Sequence, residues 1–298
     1  ALLAGLACFL VVDQLRLLGS PLLSGLIRLE TQYYFALIAL LLPGVFLIYR
    51  SRWAVLDAAL GLGAFLAPLW LLHHAEAIAN EGWEFLAPDH AVLASSVLWL
   101  LVLEAVRRVT GWVLFGIALV FSMYPLFADV MPLMISGMAI GFRETASYHA
   151  MSIESIVGLP FRAFANLVVG FLVFGATLQH TGGGAFFIRL AFALLGGVRG
   201  GAAKVAIVSS GLMGSMSGSV ITNVMTTGQL TIPAMRRQGF SAKSAAAVEA
   251  CASTGGVLLP PIMGSTAFIM ATFLEIPYYQ VAIAALLPSL LYFIALYT

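Results

Sequence analysis

Long uncharged apolar runs recur along the chain, each closed by a short polar or charged connection. A helix that crosses a bilayer needs about 20 predominantly apolar residues. On that pattern the chain is predicted to span at about 1–18, 33–49, 53–72, 91–105, 111–129 and 164–178. Arg28 and Glu30 lie in the connection after the first span, Arg50 and Arg52 close the second, and Arg107 and Arg108 close the fourth. The connection after the third holds Glu76, Glu81, Glu84 and Asp89 but no Lys or Arg. Basic connections stay in the cytoplasm, so the arginine-closed ends are predicted inside and the Glu-rich connection outside. Residues 135–162 are too polar to cross and are predicted at the outer interface. The short apolar run at 184–197 carries Arg189 and reads as an arm helix on the cytoplasmic surface.

The pattern then changes. From Val205 to Met235 there is no charge, with Arg199 and Lys204 before the run and Arg236, Arg237 and Lys243 after it. This stretch is too long for one span and too short for two, and basic residues at both ends put both ends on one side. A re-entrant hairpin over about 203–235, with its tip at Ser217-Gly218-Ser219, satisfies both conditions. A broken helix over 242–275 follows, with expected interruptions at Ser253-Thr254-Gly255-Gly256 and at Pro260-Pro261, and then a last span over 278–298. The predicted fold class is therefore an all-α polytopic membrane protein: a transmembrane helix bundle with one re-entrant helical hairpin and one discontinuous helix. The expected division is a four-helix membrane region at 1–109 and a larger region at 110–298.

Helix breakers at mid-membrane leave backbone N–H and C=O groups without partners in lipid. They are tolerated only where protein buries them or they line a site, and paired broken helices point to the binding site of a secondary transporter. At a hairpin tip the end of one helix presents carbonyls and the start of the next presents N–H groups. Carbonyls with Ser, Thr or Asn oxygens suit a small hard cation such as Na⁺, and the N–H end suits a carboxylate. Proline cannot donate and displaces a carbonyl of the preceding turn, so Gly256 and Leu259 are read as carbonyl donors facing the tip. The competing reading is close helix packing through the small residues Gly211, Gly214 and Gly218, and the residues alone leave both open.

Composition agrees with a membrane protein. The chain is 61% hydrophobic and 9% charged, against about 25% charged residues in soluble domains, and its mean hydropathy is +1.03. No basic run suits nucleic acid. Cys8 and Cys251 lie in apolar segments and read as buried hydrophobes. The glycine clusters at 182–184 and 196–201 lack the lysine and hydroxyl of a phosphate loop and read as turns. The five histidines fall at loops or span ends without metal-ligand spacing. Trp53, Trp83, Trp99 and Trp112 read as interface anchors. Glu249 is read as paired with a nearby Lys or Arg, with a proton relay as the alternative. Ser215-Met216-Ser217-Gly218 superficially matches an intramembrane serine hydrolase, which would require a histidine base at the same depth. A non-catalytic membrane scaffold is a third reading. No signal-peptide cleavage site follows the first apolar run. The chain starts at Ala1 and stops in an apolar helix, so it reads as a piece of a longer protein.

The segments GGAAKVAIVSSGLMGSMSGSVITNVMTTGQLTIPAMRRQGF, SAAAVEACASTGGVLLPPIMGSTAFIMATFLEIPY and AALLPSLLY resemble the fused permeases of the TRAP family, the tripartite ATP-independent periplasmic transporters. The resemblance extends upstream to about Val102, and the first hundred residues resemble the family's small four-helix subunit in hydropathy and charge pattern. It implies a non-enzymatic permease in a bacterial or archaeal cytoplasmic membrane. Such a permease imports small organic anions, mostly carboxylates, by Na⁺ symport with an elevator motion. The implied partners are a periplasmic substrate-binding protein, the anion, the lipid bilayer and the C-terminal half of the permease, and the implied ion is Na⁺. By the resemblance, Ser217, Gly218, Ser219, Gly256, Leu259 and Pro261 fall on the first Na⁺ site. Asn223 lies just past the tip, and Thr254 and Gly255 line the break. The family's large subunit has two inverted halves and this chain carries one hairpin and one broken helix, so the second ion site and half of the substrate site are expected outside it.

Overall fold

A computed structural model describes residues 2–14, 27–132 and 134–298. Every regular element among the described residues is helical. The chain is an all-α polytopic membrane protein, and four helices in it, Glu30–Ile48, Ala54–His73, Leu159–His180 and Tyr278–Tyr297, are long and apolar enough to cross a bilayer by length and composition. The chain divides into two compact units, residues 1–165 and 166–298. The boundary expected at residue 109 falls inside the first unit, because helices on either side of it pack together.

The first unit comprises α1 (Leu2–Gln14), α2 (Glu30–Ile48), α3 (Ala54–His73), α4 (Ala75–Glu81), α5 (Asp89–Thr110), α6 (Trp112–Met123), α7 (Phe142–Met151) and the short α8 (Leu159–Ala163). The first predicted span ends beyond α1, outside the described residues. Helices α2 and α3 form an antiparallel pair on which α5 packs, and α5 also contacts α6 and α7. Phe46, Ala64, Leu101 and Ala105 make the buried centre of that packing. The expected fifth span is shorter than its composition implied. α6 stops at Met123, and two single 3₁₀ turns follow at Tyr124–Leu126 and Ala128–Val130, because Pro125 cannot carry the α-helical hydrogen bond onward. Trp83 and Trp99 are buried rather than interfacial, whereas Trp53 and Trp112 are exposed.

At the α5 terminus a buried ion network replaces apolar packing. Arg108 Nη1 lies 2.7 Å from Asp57 Oδ1, and its Nε lies 2.7 Å from Glu104 Oε1. Arg107 also binds Glu104, Arg108 donates to the Tyr49 carbonyl, and the Ser51 N–H donates to Asp57 at 2.7 Å. Three helix ends are thereby tied at one point.

The second unit holds α9 (Val169–His180), α10 (Gly183–Leu195), α11 (Gly201–Ser217), α12 (Val220–Arg237), α13 (Ala242–Gly256), α14 (Ser265–Phe273) and α15 (Tyr278–Tyr297). α11, α12 and α13 pack mutually, with α10 against α11 and α14 against α15. The residues between α11, α12 and α13 are small: Ala202, Ala206 and Ala245 surround Met235. Small side chains let backbones approach closely without requiring water to drive association.

Candidate functional site

Helices α11 and α12 form a helical hairpin whose turn is Gly218-Ser219. α11 ends at Ser217, Gly218 turns the chain with φ +61°, and the Ser219 hydroxyl caps α12 by accepting from the Thr222 N–H at 3.4 Å. Only glycine adopts this left-handed conformation at little cost, and there is a second reason for glycine here: an added Cβ would stand 2.5 Å from the Met263 carbonyl oxygen. The hairpin tip is thus pressed against the interruption between α13 and α14.

That interruption runs from Val257 to Gly264, later than one of its two expected positions. Ser253-Thr254-Gly255-Gly256 is the last turn of α13, not a break. Its glycines serve packing. A Cβ on Gly256 would lie 2.8 Å from both Gly214 Cα and the Ser210 carbonyl oxygen, and a Cβ on Gly255 would strike the Tyr292 ring. Thr254 is exposed, and its hydroxyl donates to the Ala250 carbonyl at 2.8 Å. The second expected position, Pro260-Pro261, does lie in the break, with a cis peptide bond between the two prolines. The Ile262 N–H donates to the Ser215 carbonyl at 3.0 Å, stitching break to hairpin, and the Gly264 N–H donates to the Val257 carbonyl at 2.8 Å, closing the loop.

The residues singled out from the sequence are therefore distributed as follows. Gly218 meets the Met263 carbonyl, and Gly256 meets Gly214 one turn below the tip. The Ser217 hydroxyl is 3.3 Å from the Ser219 carbonyl oxygen. The Pro261 and Ile262 carbonyls both accept from the Tyr278 hydroxyl, at 2.8 and 2.7 Å. The Gly256 carbonyl accepts from the Leu259 N–H at 3.2 Å, and the Leu259 side chain lines an apolar cavity of about 320 Å³ with Gly211 and Phe293. Asn223 is buried beside the Gly214–Gly256 contact. Its Nδ2 donates to the Ser210 carbonyl at 2.7 Å, and its Oδ1 has no hydrogen-bond partner among the described residues. A buried acceptor without a partner is costly, and it is what a cation or a donor would satisfy. Sequence reasoning missed Met263, Tyr278 and the Ser215 carbonyl, whose roles depend on partners distant in the chain.

One expectation is corrected outright. Glu249 has no basic partner among the described residues. It is fully buried on α13 and surrounded by hydroxyls: Ser210 at 2.6 Å and Thr227 at 2.5 Å on Oε1, Thr231 at 2.5 Å on Oε2, and Ser253 at 3.2 Å on Oε1. On α11 the nearest basic residue in sequence to Ser210 is Lys204, six residues before it and about 9 Å along the axis. The serine-hydrolase reading finds no support in the geometry. Ser215 Oγ donates to the Leu212 carbonyl and Ser217 Oγ to the Ser219 carbonyl, with no histidine on either hydroxyl.

Comparison with known proteins decides the family. Residues 97–298 match the model for the tripartite ATP-independent periplasmic transporter, DctM component. The chain belongs to the TRAP transporter DctM family. It is 31% identical over 186 residues to the C4-dicarboxylate TRAP transporter large permease protein DctM of Vibrio cholerae, covering 58% of this chain and 41% of that protein. It is 27% identical over 198 residues to the sialic acid TRAP transporter permease protein SiaT of Haemophilus influenzae, covering 61% of this chain and 32% of the relative. It is also 32% identical over 100 residues to the isethionate TRAP transporter permease protein DctMQ of Oleidesulfovibrio alaskensis, covering 33% and 16% respectively. The chain thus spans less than half the length of these relatives. No solved structure matches it. These relatives are transport permeases, not enzymes.

Proposed function

We propose that this chain is part of a Na⁺-coupled permease that imports a small organic anion delivered by a periplasmic substrate-binding protein. In this reading residues 1–109 correspond to a small subunit fused ahead of the large one, and the large subunit works as an elevator. The ion binds between the hairpin tip and the break. Ser217, Gly218 and Ser219 contribute from the tip, Gly256, Leu259 and Pro261 from the break, and Asn223, Thr254 and Gly255 line the surroundings more weakly. Thr254 is the weakest of these, because it is exposed and bonded to its own helix.

The observation that carries the reading is the buried, unpartnered Asn223 Oδ1 beside a tip pressed onto a broken helix. Neutral oxygens can replace the hydration shell of a small hard cation, and transporters build such sites from interrupted helices. Carboxylates and related small anions are the substrate class to try first, because the C4-dicarboxylate, sialic acid and isethionate permeases are its relatives.

The test is uptake by the full-length protein in proteoliposomes with its binding protein and labelled C4-dicarboxylate, sialic acid or isethionate. Uptake is expected to require an inward Na⁺ gradient. Equal uptake with choline or K⁺ in place of Na⁺ would remove Na⁺ as the coupling ion. Ser217→Phe is expected to abolish Na⁺-driven uptake while the protein remains folded, and normal uptake would take Ser217 out of the site.

A further inference from the structure

Within the second unit, a buried carboxyl group has no cationic partner among the described residues. Glu249 is fully buried between α11, α12 and α13, and every hydrogen bond it makes is to a hydroxyl. We propose that Glu249 is a proton-binding site in the hairpin core, distinct from the oxygens of the tip and separated from Asn223 by Ser210 and Thr227.

The argument rests on the number of hydrogens available. A serine or threonine hydroxyl has one hydrogen to donate and lone pairs to accept with. Thr231 Oγ1 lies 2.5 Å from Glu249 Oε2 and 3.0 Å from the Thr227 carbonyl oxygen, so it has two acceptors for one hydrogen. Thr227 Oγ1 likewise lies 2.5 Å from Glu249 Oε1 and 2.8 Å from the Asn223 carbonyl oxygen. With the carboxylate ionised, both hydroxyls donate to it. When a proton from water attaches to Oε2, the new O–H donates to Thr231 Oγ1, and the Thr231 hydrogen turns to the Thr227 carbonyl. Oε1 continues to accept from Ser210 and Thr227. Both protonation states therefore leave every group paired, and they interconvert by rotation of one hydroxyl. A purely structural carboxylate would need only the first arrangement. An ionisable side chain fully buried between the helices of a membrane protein is a candidate functional group, and here the hydroxyls around it can pair the neutral form as well as the ionised one.

Among the described residues, the charged groups of the neighbouring helices are engaged or exposed elsewhere. Lys204 of α11 lies over the Tyr297 ring at 4.7 Å. Arg236 and Arg237 of α12, Lys243 of α13 and Arg189 of α10 are exposed. Tyr292 of α15 donates to the Cys251 carbonyl at 2.9 Å. Among the described residues none of these forms an ion pair or hydrogen bond with Glu249.

The experiment is infrared difference spectroscopy of the full-length protein in lipid between alkaline and acidic buffer, with and without Na⁺. Acidification is expected to produce a carboxylic-acid C=O band characteristic of a buried group. Glu249→Gln should lose that band, and Ser217→Phe should keep it, which separates this site from the tip. Thr231→Val keeps the carboxyl but removes one of its hydroxyl partners, and should move the band to higher frequency. A Glu249→Gln spectrum that superimposes on the wild type would overturn the proposal, and so would a Thr231→Val band at the wild-type frequency.

Discussion

The two units each bury a carboxylate, and they stabilise it in opposite ways. In the first, Asp57 and Glu104 are met by Arg107 and Arg108, and the network joins the ends of α2, α3 and α5. In the second, Glu249 is met by four hydroxyls and, among the described residues, by no cation. A buried ion pair holds both partners in one state, because removing either leaves an uncompensated charge. A hydroxyl cage has no such commitment, since each hydroxyl can donate or accept. The first arrangement fixes helices in place, and the second can change its charge without changing its neighbours.

That contrast can be broken most directly at Arg108. Arg108→Ala strands Asp57 in a buried setting, leaves Glu104 with Arg107 alone, and is expected to lower the apparent melting temperature of the detergent-solubilised protein by roughly 6–12 °C. An unchanged melting curve would show that the network does not hold the helix ends. Next in size is a test of the second unit's close packing. Gly256→Ala must push aside the Gly214 backbone and the Ser210 carbonyl, and should cost about 1–3 kcal/mol in chemical unfolding. The neutralising pair then sharpens the comparison. Glu249→Gln retains the size and the acceptor, and its amide can donate to Thr231, so a change within about 1 kcal/mol is expected. Asp57→Asn should cost visibly more, and equal losses at the two sites would erase the distinction.

His149 provides a pH-dependent check on the first unit. Its Nδ1 lies 2.7 Å from Ser155 Oγ and its Nε2 2.7 Å from the Ser122 carbonyl oxygen, and burial holds the imidazole below its ordinary value of 6.5. The folded state therefore favours neutral histidine. Its contribution is complete above pH 6.5 and declines as pH falls toward the depressed folded value. His149→Gln should flatten that part of the stability profile between neutral and mildly acid pH. The smallest effect belongs to Glu76, whose pairing with Arg28 at 3.8 Å is exposed on both sides. Glu76→Gln should leave stability unchanged within error.

Much of this was legible in the sequence. The uncharged stretch from Val205 to Met235 had the wrong length for spans, and Gly218 and Ser219 had the right chemistry for a turn; both follow from local rules. The Pro260-Pro261 interruption was legible for the same reason. Gly255 and Gly256 were misread, because glycine spent on close packing and glycine spent on breaking a helix look alike in sequence. Only Gly214 and Tyr292, each some 40 residues away, tell them apart. Glu249 failed similarly. Thr227 and Thr231 share a helix face, as do Glu249 and Ser253, at the four-residue spacing that puts side chains together. Nothing local announces that the two faces meet, with Ser210 between them. α6 was overestimated because apolar composition outlasted the helix that Pro125 ended.

The contact of Gly214 with Gly256 has one more consequence. Main chain touches main chain there, with no side chain in between to change rotamer and relieve a shear. α11 and α13 cannot slide past one another at that point by small accommodations. A displacement of the Gly218 turn is therefore expected to carry α13 along, as a wedge rather than a flap.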